Sequence, residues 1–186
     1  DAIRLDHATG PTYKFWKKFN AALKEQYPNV KIIGEVWGKL DFKPQNPFRY
    51  FWNKLRYSAQ EARQMEYIGI LDGVFDFRYQ KLICNAVKSN KGIKGNTKLE
   101  LSITKHFAHY PSDFQLWLFL DNHDMNRFLF ECNGDKKLLQ EAINYTKRWH
   151  KPFLTYYGTE KDMSNETDIH QMSHGDEQVR KPMIWD

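Results

Sequence analysis

Five short apolar segments recur along the 186-residue chain, and polar or charged residues follow each of them. The clearest is Phe114–Leu120, in which Gln115 is the only polar residue. Such a run is typical of a strand buried on both faces, as in the parallel sheets of α/β proteins. The five predicted strands are Ala2–Leu5, Val30–Gly34, Ile68–Phe77, Phe114–Leu120 and Lys151–Tyr157.

Segments with apolar residues at helical spacing separate these strands. The predicted helices are Thr12–Tyr27 (with Thr12 as the N-cap), Phe48–Tyr67, Arg78–Lys88, Lys98–His109 and Asp135–Trp149. The expected inner faces are Phe15, Phe19, Ala22 and Leu23 in the first helix, and Phe51, Leu55, Ala59 and Ala62 in the second. Irregular loops are expected at 38–47 and 89–97, and a polar, irregular segment at 161–186.

Repeated alternation of strand and helix predicts parallel strands joined by right-handed helical crossovers. Five such units could form an open doubly wound sheet or part of a (β/α)₈ barrel. A complete barrel has eight strands and typically ~250 residues, so this chain is too short to close one. The predicted class is therefore α/β, with the choice between the two architectures open.

The composition is that of a folded domain, with 41% hydrophobic and 27% charged residues. A net charge of +5 is spread along the chain without a basic run, so neither nucleic acid nor a membrane surface is an expected partner. The sequence contains no run of ~18 apolar residues, so no transmembrane helix is predicted. The glycine-rich phosphate-binding motifs are also missing after the predicted strands, which disfavours nucleotide binding.

Cysteine and histidine spacing gives no indication of a metal site. Cys84 and Cys132 are expected to be free thiols, which slightly favours the cytoplasm. The compartment stays open, since the chain begins at Asp1 in what looks like the middle of a strand. No cofactor is evident, and the histidines lack ligand spacing: His7, His106, His109, His123, His150, His170 and His174.

Three predicted strands end beside a carboxylate: Asp6, Glu35 and Asp124. In parallel α/β folds, chemistry collects at the carboxyl ends of the strands, so we expect the three on one rim. Clustered carboxylates repel one another and separate in pKa, which is what an acid and a nucleophile need in glycoside hydrolysis. Candidate helpers beside them are Arg4, Trp37, Asn122 and His123.

Each candidate also has an ordinary structural interpretation. Asp6 and Asp124 could be helix N-caps, and Glu35 could lie in an exposed loop. Trp37 is more often a packing residue than a sugar platform, and His123 could simply cap Asp124. Other residues are expected to be structural: Asp76 as a hydrogen-bonding group, and Tyr156, Tyr157 and Trp185 in core or rim packing.

Three motifs carry a more specific signal: RLD at Arg4–Asp6, GEVW at Gly34–Trp37 and FLDNHD at Phe119–Asp124. In order and approximate spacing they resemble conserved regions of glycoside hydrolase family 13, the α-amylase family. The segments VFDF, PFLTYYGTE and RKPMIWD are similar to strands six and eight and the following loop of that family. Three ordered motifs, each ending a predicted strand, are much more specific together than any one alone.

The resemblance covers essentially the whole chain and implies one partial (β/α)₈ TIM-barrel domain over residues 1–186. This domain would run from the fourth strand to just past the eighth, with about five of eight βα units and no closure. Strands one to three, the inserted domain B and a C-terminal β-sandwich would lie outside this sequence. A chain truncated in this way could be inactive alone.

By resemblance, Asp6 would be the nucleophile that forms a β-glycosyl-enzyme, and Glu35 the general acid and base. Asp124 would bind ring hydroxyls and stabilise the oxocarbenium-like transition state. Arg4 would hold Asp6 ionised. The residues expected to bind substrate beside these acids are Arg4, His123, Asn122 and Trp37.

The resemblance implies that the protein cleaves α-glucosidic bonds with retention of configuration. The leading candidates are the α-1,4 links of starch, glycogen or maltooligosaccharides. Thr9 and Gly10 replace a Lys/His pair common in the family, and Ala2 replaces a usual Gly, so acceptor-side contacts stay open. Calcium is a further possibility in the intact parent, at a site beside the inserted domain.

Other functions stay open at this point. The chain could be a non-catalytic carbohydrate-binding or interaction fragment, or a piece of a transglycosylase or α-glucosidase of the same family. An open-sheet enzyme unrelated to sugars would place Asp6, Glu35 and Asp124 on different rims.

Overall fold

A computed structural model describes residues 1–38, 43–89 and 92–185. The strands in that part of the chain are β1 (Ala2–Leu5), β2 (Lys31–Gly34), β3 (Gly73–Phe75), β4 (Gln115–Phe119) and β5 (Phe153–Leu154). The α-helices are α1 (Tyr13–Gln26), α2 (Pro47–Arg56), α3 (Ala59–Met65), α4 (Phe77–Lys88), α5 (Thr97–Ala108), α6 (Phe128–Glu131) and α7 (Lys136–Lys147). The strands pair in sequential order and all pairings are parallel, which confirms the predicted alternation.

The chain divides into two compact units. Unit 1 consists of Asp1–Arg78 and His106–Trp117, and contains β1, β2, β3 and the first three residues of β4. Unit 2 consists of Tyr79–Lys105 and Leu118–Asp186, and contains the end of β4 together with β5. Each unit therefore has its own set of parallel pairings.

The core of unit 1 is formed by strand and helix side chains around β2, in which Ile32 and Ile33 are both almost fully buried. Burial of consecutive residues means that β2 is covered on both faces. Gly73 begins β3, where a Cβ atom would lie 2.2 Å from the carbonyl oxygen of Gln115, so only glycine fits this strand pairing. Asp72 connects the elements by accepting from the Ile32 N–H at 2.8 Å and pairing with Lys24 at 3.0 Å.

The core of unit 2 is equally apolar and includes Ile83, Ile103, Leu118, Phe119, Phe128 and Leu139. Tyr79 donates to Thr146 Oγ1 at 2.9 Å, which satisfies two polar groups inside this core. Cys84 and Cys132 are buried free thiols, as predicted, and burial raises the pKa of Cys132 to about 12. Among the described residues, no helix combines the length and apolar character that a bilayer span requires.

The first helix has the predicted N-cap, since Thr12 accepts from the Phe15 N–H, but its predicted face was partly wrong. Trp16 is the residue of α1 that is buried, with Phe19 and Leu23 packed against the same core. Phe15 and Ala22 are exposed.

The single helix predicted at Phe48–Tyr67 was wrong, since α2 and α3 replace it. The helix breaks because Ser58 starts a new one: its hydroxyl accepts from the Glu61 N–H, and the Glu61 carboxylate accepts from the Ser58 N–H. The expected inner face was also wrong in α2, where the large apolar residues are all exposed: Phe48, Phe51, Trp52 and Leu55. Ala62 of α3 is fully buried, as predicted.

Two predicted strands are shorter than expected. In Ile68–Phe77 only Gly73–Phe75 is a strand, because the preceding residues turn at Gly69, whose φ is +74°. Lys151–Tyr157 contains the two-residue strand β5. The predicted loops at 38–47 and 89–97 include residues 39–42 and 90–91, which lie outside the described residues.

An ionic network is buried in unit 1, where His106 contacts a carboxylate through each ring nitrogen. Its Nδ1 lies 2.8 Å from Glu61 Oε1, and its Nε2 lies 2.8 Å from Asp76 Oδ2. Burial opposes a charged imidazole, but the two carboxylates outweigh it and raise the pKa of His106 to about 9. For Glu61, hydrogen bonds from His106 and Ser58 outweigh burial and lower the pKa to about 2. The structural hydrogen-bonding role predicted for Asp76 is confirmed.

This network predicts how stability depends on pH. A protonated His106 stabilises the folded chain below the ordinary histidine pKa of about 6.5, and the contribution is lost as pH rises through about 9. At ~1.4 kcal/mol for each pKa unit, the free energy of unfolding of chelator-treated protein should fall by up to about 3 kcal/mol over that range. Urea unfolding at a series of pH values measures it.

In His106→Gln this pH dependence should disappear, and stability at pH 6 should fall by about 3 kcal/mol, because Glu61 and Asp76 lose the cation they share while Arg78 stays 3.5 Å from Glu61. His170→Gln, at an exposed histidine, is the matched control and should keep the wild-type slope. An unchanged slope in His106→Gln would show that another group titrates.

Candidate active site

Parallel pairing in unit 1 brings two of the predicted carboxylates to neighbouring strand ends. Leu5 of β1 is in register with Gly34 of β2, so Asp6 and Glu35 follow at equivalent positions. The Glu35 N–H donates to the Leu5 carbonyl at 2.9 Å, which continues the ladder by one residue. Both acids therefore leave the sheet at its carboxyl edge, as the sequence predicted.

Arg4 bridges these carboxylates with the two ends of one guanidinium group. Its Nη1 lies 2.8 Å from Asp6 Oδ1, and its Nη2 lies 2.9 Å from Glu35 Oε1. Burial alone would lower the pKa of Arg4, but Glu35 and Asp6 raise it, so the group stays positively charged. The Asp6 side chain is 75% exposed whereas that of Glu35 is 11% exposed, so one acid is open to a ligand and the other is enclosed.

The turn after β1 is held to the Glu35 backbone and side chain. His7 has a φ of +44°, a left-handed conformation that non-glycine residues rarely adopt. In this conformation its N–H points to Glu35 Oε2 at 3.3 Å. Ala8 completes the turn, since its N–H donates to the Glu35 carbonyl and its carbonyl accepts from Trp16 and Tyr67. The backbone strain therefore lies beside the carboxylate pair.

Trp37 is both packed and exposed. Its ring stacks on Phe77 with centroids 5.0 Å apart and planes within 2°, and 39% of the residue remains exposed. Gln60 of α3 fixes the same segment by donating to the Val36 carbonyl. Packing against Phe77 supports the structural interpretation of Trp37, and its role in substrate binding stays a prediction.

A cavity of about 620 Å³ opens beside the His7 turn. Its walls include Thr9, Gly10, Tyr13, Lys43 and Tyr67. Thr9 Oγ1 is buried and has no hydrogen-bond partner among the described residues. Thr9 and Gly10 therefore line a space large enough for a sugar ring.

The third acid, Asp124, lies in unit 2 after β4, and its neighbours there are mainly those expected. The Asp124 N–H donates to Asn122 Oδ1 at 2.9 Å, and His123 Nε2 lies 3.3 Å from Asp124 Oδ2. Arg180 was missed: its Nη2 lies 2.9 Å from Asp124 Oδ1, and its Nε donates to the His123 carbonyl at 3.1 Å. Arg180 opens the RKPMIWD motif, but no spacing rule connects it to Asp124, 56 residues earlier.

Several ordinary interpretations of the candidates are excluded. The N-cap of α1 is Thr12 and that of α6 is Arg127, so neither Asp6 nor Asp124 caps these helices. Glu35 is buried rather than in an exposed loop. The arrangement of Asp6, Glu35 and Asp124 on one rim stays a prediction.

The aromatic residues of unit 2 expected in core or rim packing divide into two groups. The Tyr156 and Tyr157 rings pack on the guanidinium of Arg127. Its Cζ lies 4.2 Å from the centroid of the Tyr156 ring and 4.9 Å from that of Tyr157. Trp185 is 80% exposed, so the packing role predicted for it was wrong.

Three further side chains of unit 1 bring metal-ligating atoms together. Among the described residues, ligand atoms of Glu61, His106 and His109 lie within 4.8 Å of one another. Sequence reasoning missed this group because Glu61 is 45 residues from His106. The calcium site expected beside an inserted domain stays a prediction.

Comparison with known proteins identifies the family. The profile described as "Alpha amylase, catalytic domain" matches residues 4–186. Alpha-amylase 2 of Dictyoglomus thermophilum is 29% identical over 183 residues, covering 98% of this chain and 28% of that protein. Neopullulanase 2 of Thermoactinomyces vulgaris is 24% identical over 188 residues, covering all of this chain and 27% of that protein.

The fold agrees with solved structures. A cyclomaltodextrinase structure matches all of this chain with a TM-score of 0.71 at 24% identity, and the match covers 27% of that protein. Together with the family match, this confirms the predicted α/β fold, five parallel βα units of a partial (β/α)₈ barrel. The chain spans little more than a quarter of the length of these relatives.

Asp121, which lies in sequence between β4 and Asp124, should make the stability of the chain depend on pH. It is buried and accepts from the Phe128 N–H at 2.8 Å and the Thr159 hydroxyl at 3.0 Å. Burial raises its pKa to about 6 despite these hydrogen bonds. Because the folded state then holds the proton more tightly, stability should fall as pH rises from about 4 to about 6, by up to ~3 kcal/mol.

Asp121→Asn, which cannot ionise, isolates this contribution. The free energy of unfolding of wild type relative to Asp121→Asn should decrease between pH 4 and pH 6, as measured by chemical denaturation. Asp113→Asn, at an exposed position, is the control and should track wild type. A difference that is constant with pH would contradict the prediction.

Proposed function

Because this chain belongs to the α-amylase family of glycoside hydrolases, we propose that the intact protein cleaves α-1,4-glucosidic bonds of starch, glycogen or maltooligosaccharides with retention of configuration. The observation that supports this best is the bridge from Arg4 to Asp6 and Glu35. A retaining mechanism needs two carboxyl groups ~5–5.5 Å apart, and two groups bound to one guanidinium are held at short range.

The different exposure of the two acids fits the proposed division of roles. Asp6, which is largely exposed, would attack the anomeric carbon and form a glycosyl ester as the glycosidic bond breaks. Glu35, which is enclosed, would donate its proton to the departing oxygen and later remove one from the incoming water. Water attack would release the sugar and restore both groups.

The position of Arg4 suits the movement of charge in this reaction. Before attack the negative charge is on Asp6, and in the glycosyl ester it is on Glu35, which has lost its proton. Arg4 contacts both carboxylates, so one fixed cation stays next to the charge in each state. A preorganised cation of this kind needs no reorganisation during the reaction.

Asp124 would bind hydroxyls of the sugar whose bond is cleaved. Arg180 donates to one carboxylate oxygen of Asp124, and the side-chain oxygen of Asn122 accepts from the Asp124 backbone N–H. These contacts fix the carboxylate, and a fixed acceptor binds hydroxyls at lower entropic cost. His123 would hydrogen-bond the same sugar. The cavity lined by Thr9 and Tyr67 would receive the leaving-group side of the substrate.

Removing either carboxylate should nearly abolish turnover. Asp6→Asn loses the nucleophile and Glu35→Gln the proton donor, and we expect kcat on maltoheptaose to fall at least ~10³-fold in each. The assay uses the intact enzyme, with Asp113→Asn as control. Near-wild-type hydrolysis by both variants would refute the mechanism, and a wild type that binds maltoheptaose without cleaving it would support a non-catalytic binding function.

Azide distinguishes the roles of the two acids. With an aryl α-maltoside, whose leaving group needs no acid, azide should rescue Asp6→Ala by direct displacement and give the β-glycosyl azide. In Glu35→Ala azide should intercept the glycosyl ester and give the α-azide. The anomer is assigned by NMR, and the reverse pattern would exchange the two roles.

A further inference from the structure

We propose that Glu61, His106 and His109 form a binding site for a divalent transition metal ion, with Zn²⁺ the best match. The three ligand atoms lie within 4.8 Å of one another, in unit 1. This site is distinct from the Asp6–Glu35 pair, and it does not depend on the proposed glycosidase function.

The donor atoms converge on one point. Glu61 Oε1 lies 2.8 Å from His106 Nδ1 and 3.2 Å from His109 Nδ1. In tetrahedral zinc with bonds of ~2.0–2.1 Å, ligand atoms are roughly 3.3 Å apart. The Glu61–His109 separation already matches this spacing, the Glu61–His106 separation must increase by about 0.5 Å, and the two imidazole ligand atoms lie within 4.8 Å of each other.

Each of the three side chains is already oriented by a second contact. Asp76 binds His106 Nε2 at 2.8 Å, which is the carboxylate–histidine pairing that commonly supports a metal-bound imidazole. The Ser58 N–H holds Glu61 Oε2 at 2.9 Å and so directs Oε1 toward the histidines. Tyr57 packs on the His109 ring with centroids 4.2 Å apart. A site with such outer support is preorganised for an ion.

The donor set selects the kind of metal. Two imidazoles and one carboxylate suit Zn²⁺ and its first-row neighbours, whereas Ca²⁺ and Mg²⁺ prefer all-oxygen sites. Glu61 and His106 are buried, but the His109 side chain is 25% exposed, which leaves an entry path and a fourth position for water. Bound metal would connect α3 to the end of α5.

Without metal, the same residues form an ion-paired imidazolium between Glu61 and Asp76. In that arrangement His109 adds only a second hydrogen bond to the same Glu61 oxygen, whereas with metal both imidazoles are ligands. Metal would replace the proton that His106 otherwise holds. The competing outcome is therefore an ion-pair network only.

The test uses untagged, chelator-treated protein titrated with ZnCl₂ in a calorimeter, and separately with Co²⁺. We expect one equivalent of Zn²⁺ to bind and raise the melting temperature. His109→Gln should weaken binding at least tenfold, because it removes one of three ligands and spares the ion pairs of His106. His170→Gln should bind as wild type does.

Co²⁺ makes the test independent of any variant. Bound tetrahedral Co²⁺ should give visible d–d absorption and paramagnetically shifted ring N–H resonances from two histidines. Wild type that shows neither binding heat nor these signals would overturn the proposal, and so would His109→Gln binding with wild-type affinity.

Discussion

One cation between two acids, Arg4 between Asp6 and Glu35, imposes the strictest geometric requirement on this chain. Arg4 and Asp6 are two residues apart and so project from the same face at the end of β1. The parallel register pairs Leu5 with Gly34 and so carries Glu35 to the level of Asp6. A slip of one residue would turn these side chains to opposite faces, so the register of two four-residue strands determines whether the carboxylates can share a cation.

The order and direction of the elements were predictable because buried parallel strands are apolar throughout, as in Phe114–Leu120. Their lengths were less predictable, because an apolar run does not distinguish a strand from a buried turn, and Gly69 was the only sign of the turn before β3. The helix break at Ser58 did have a local signal, the Ser-x-x-Glu capping box ending at Glu61. The exposed face of α2 had none, because helical spacing shows that an apolar face exists and not what covers it.

The candidate site divides in the same way. Arg4, Asp6 and Glu35 were predictable because they lie within short motifs at strand ends, and parallel pairing alone brings them together. Arg180 and Glu61 were not, since each meets its partner across more than forty residues of sequence with no spacing rule to connect them. Local chemistry can be inferred from sequence, whereas contacts between distant loops and helices depend on packing.

The short helix α3 makes two contacts within unit 1, one with the segment that follows Glu35 and one with the buried network around His106. Gln60 donates to the Val36 carbonyl just after Glu35, and the next residue, Glu61, enters the buried network with His106. Buried ionic groups contribute little net stability relative to apolar packing, but they fix position because each misplacement leaves a charge unpaired. The buried residues of this seven-residue helix are mostly polar, so its position depends on such contacts as well as on Ala62 and Met65. The backbone around Glu35 is therefore held from two sides, by the Leu5 carbonyl of β1 and by Gln60 of α3.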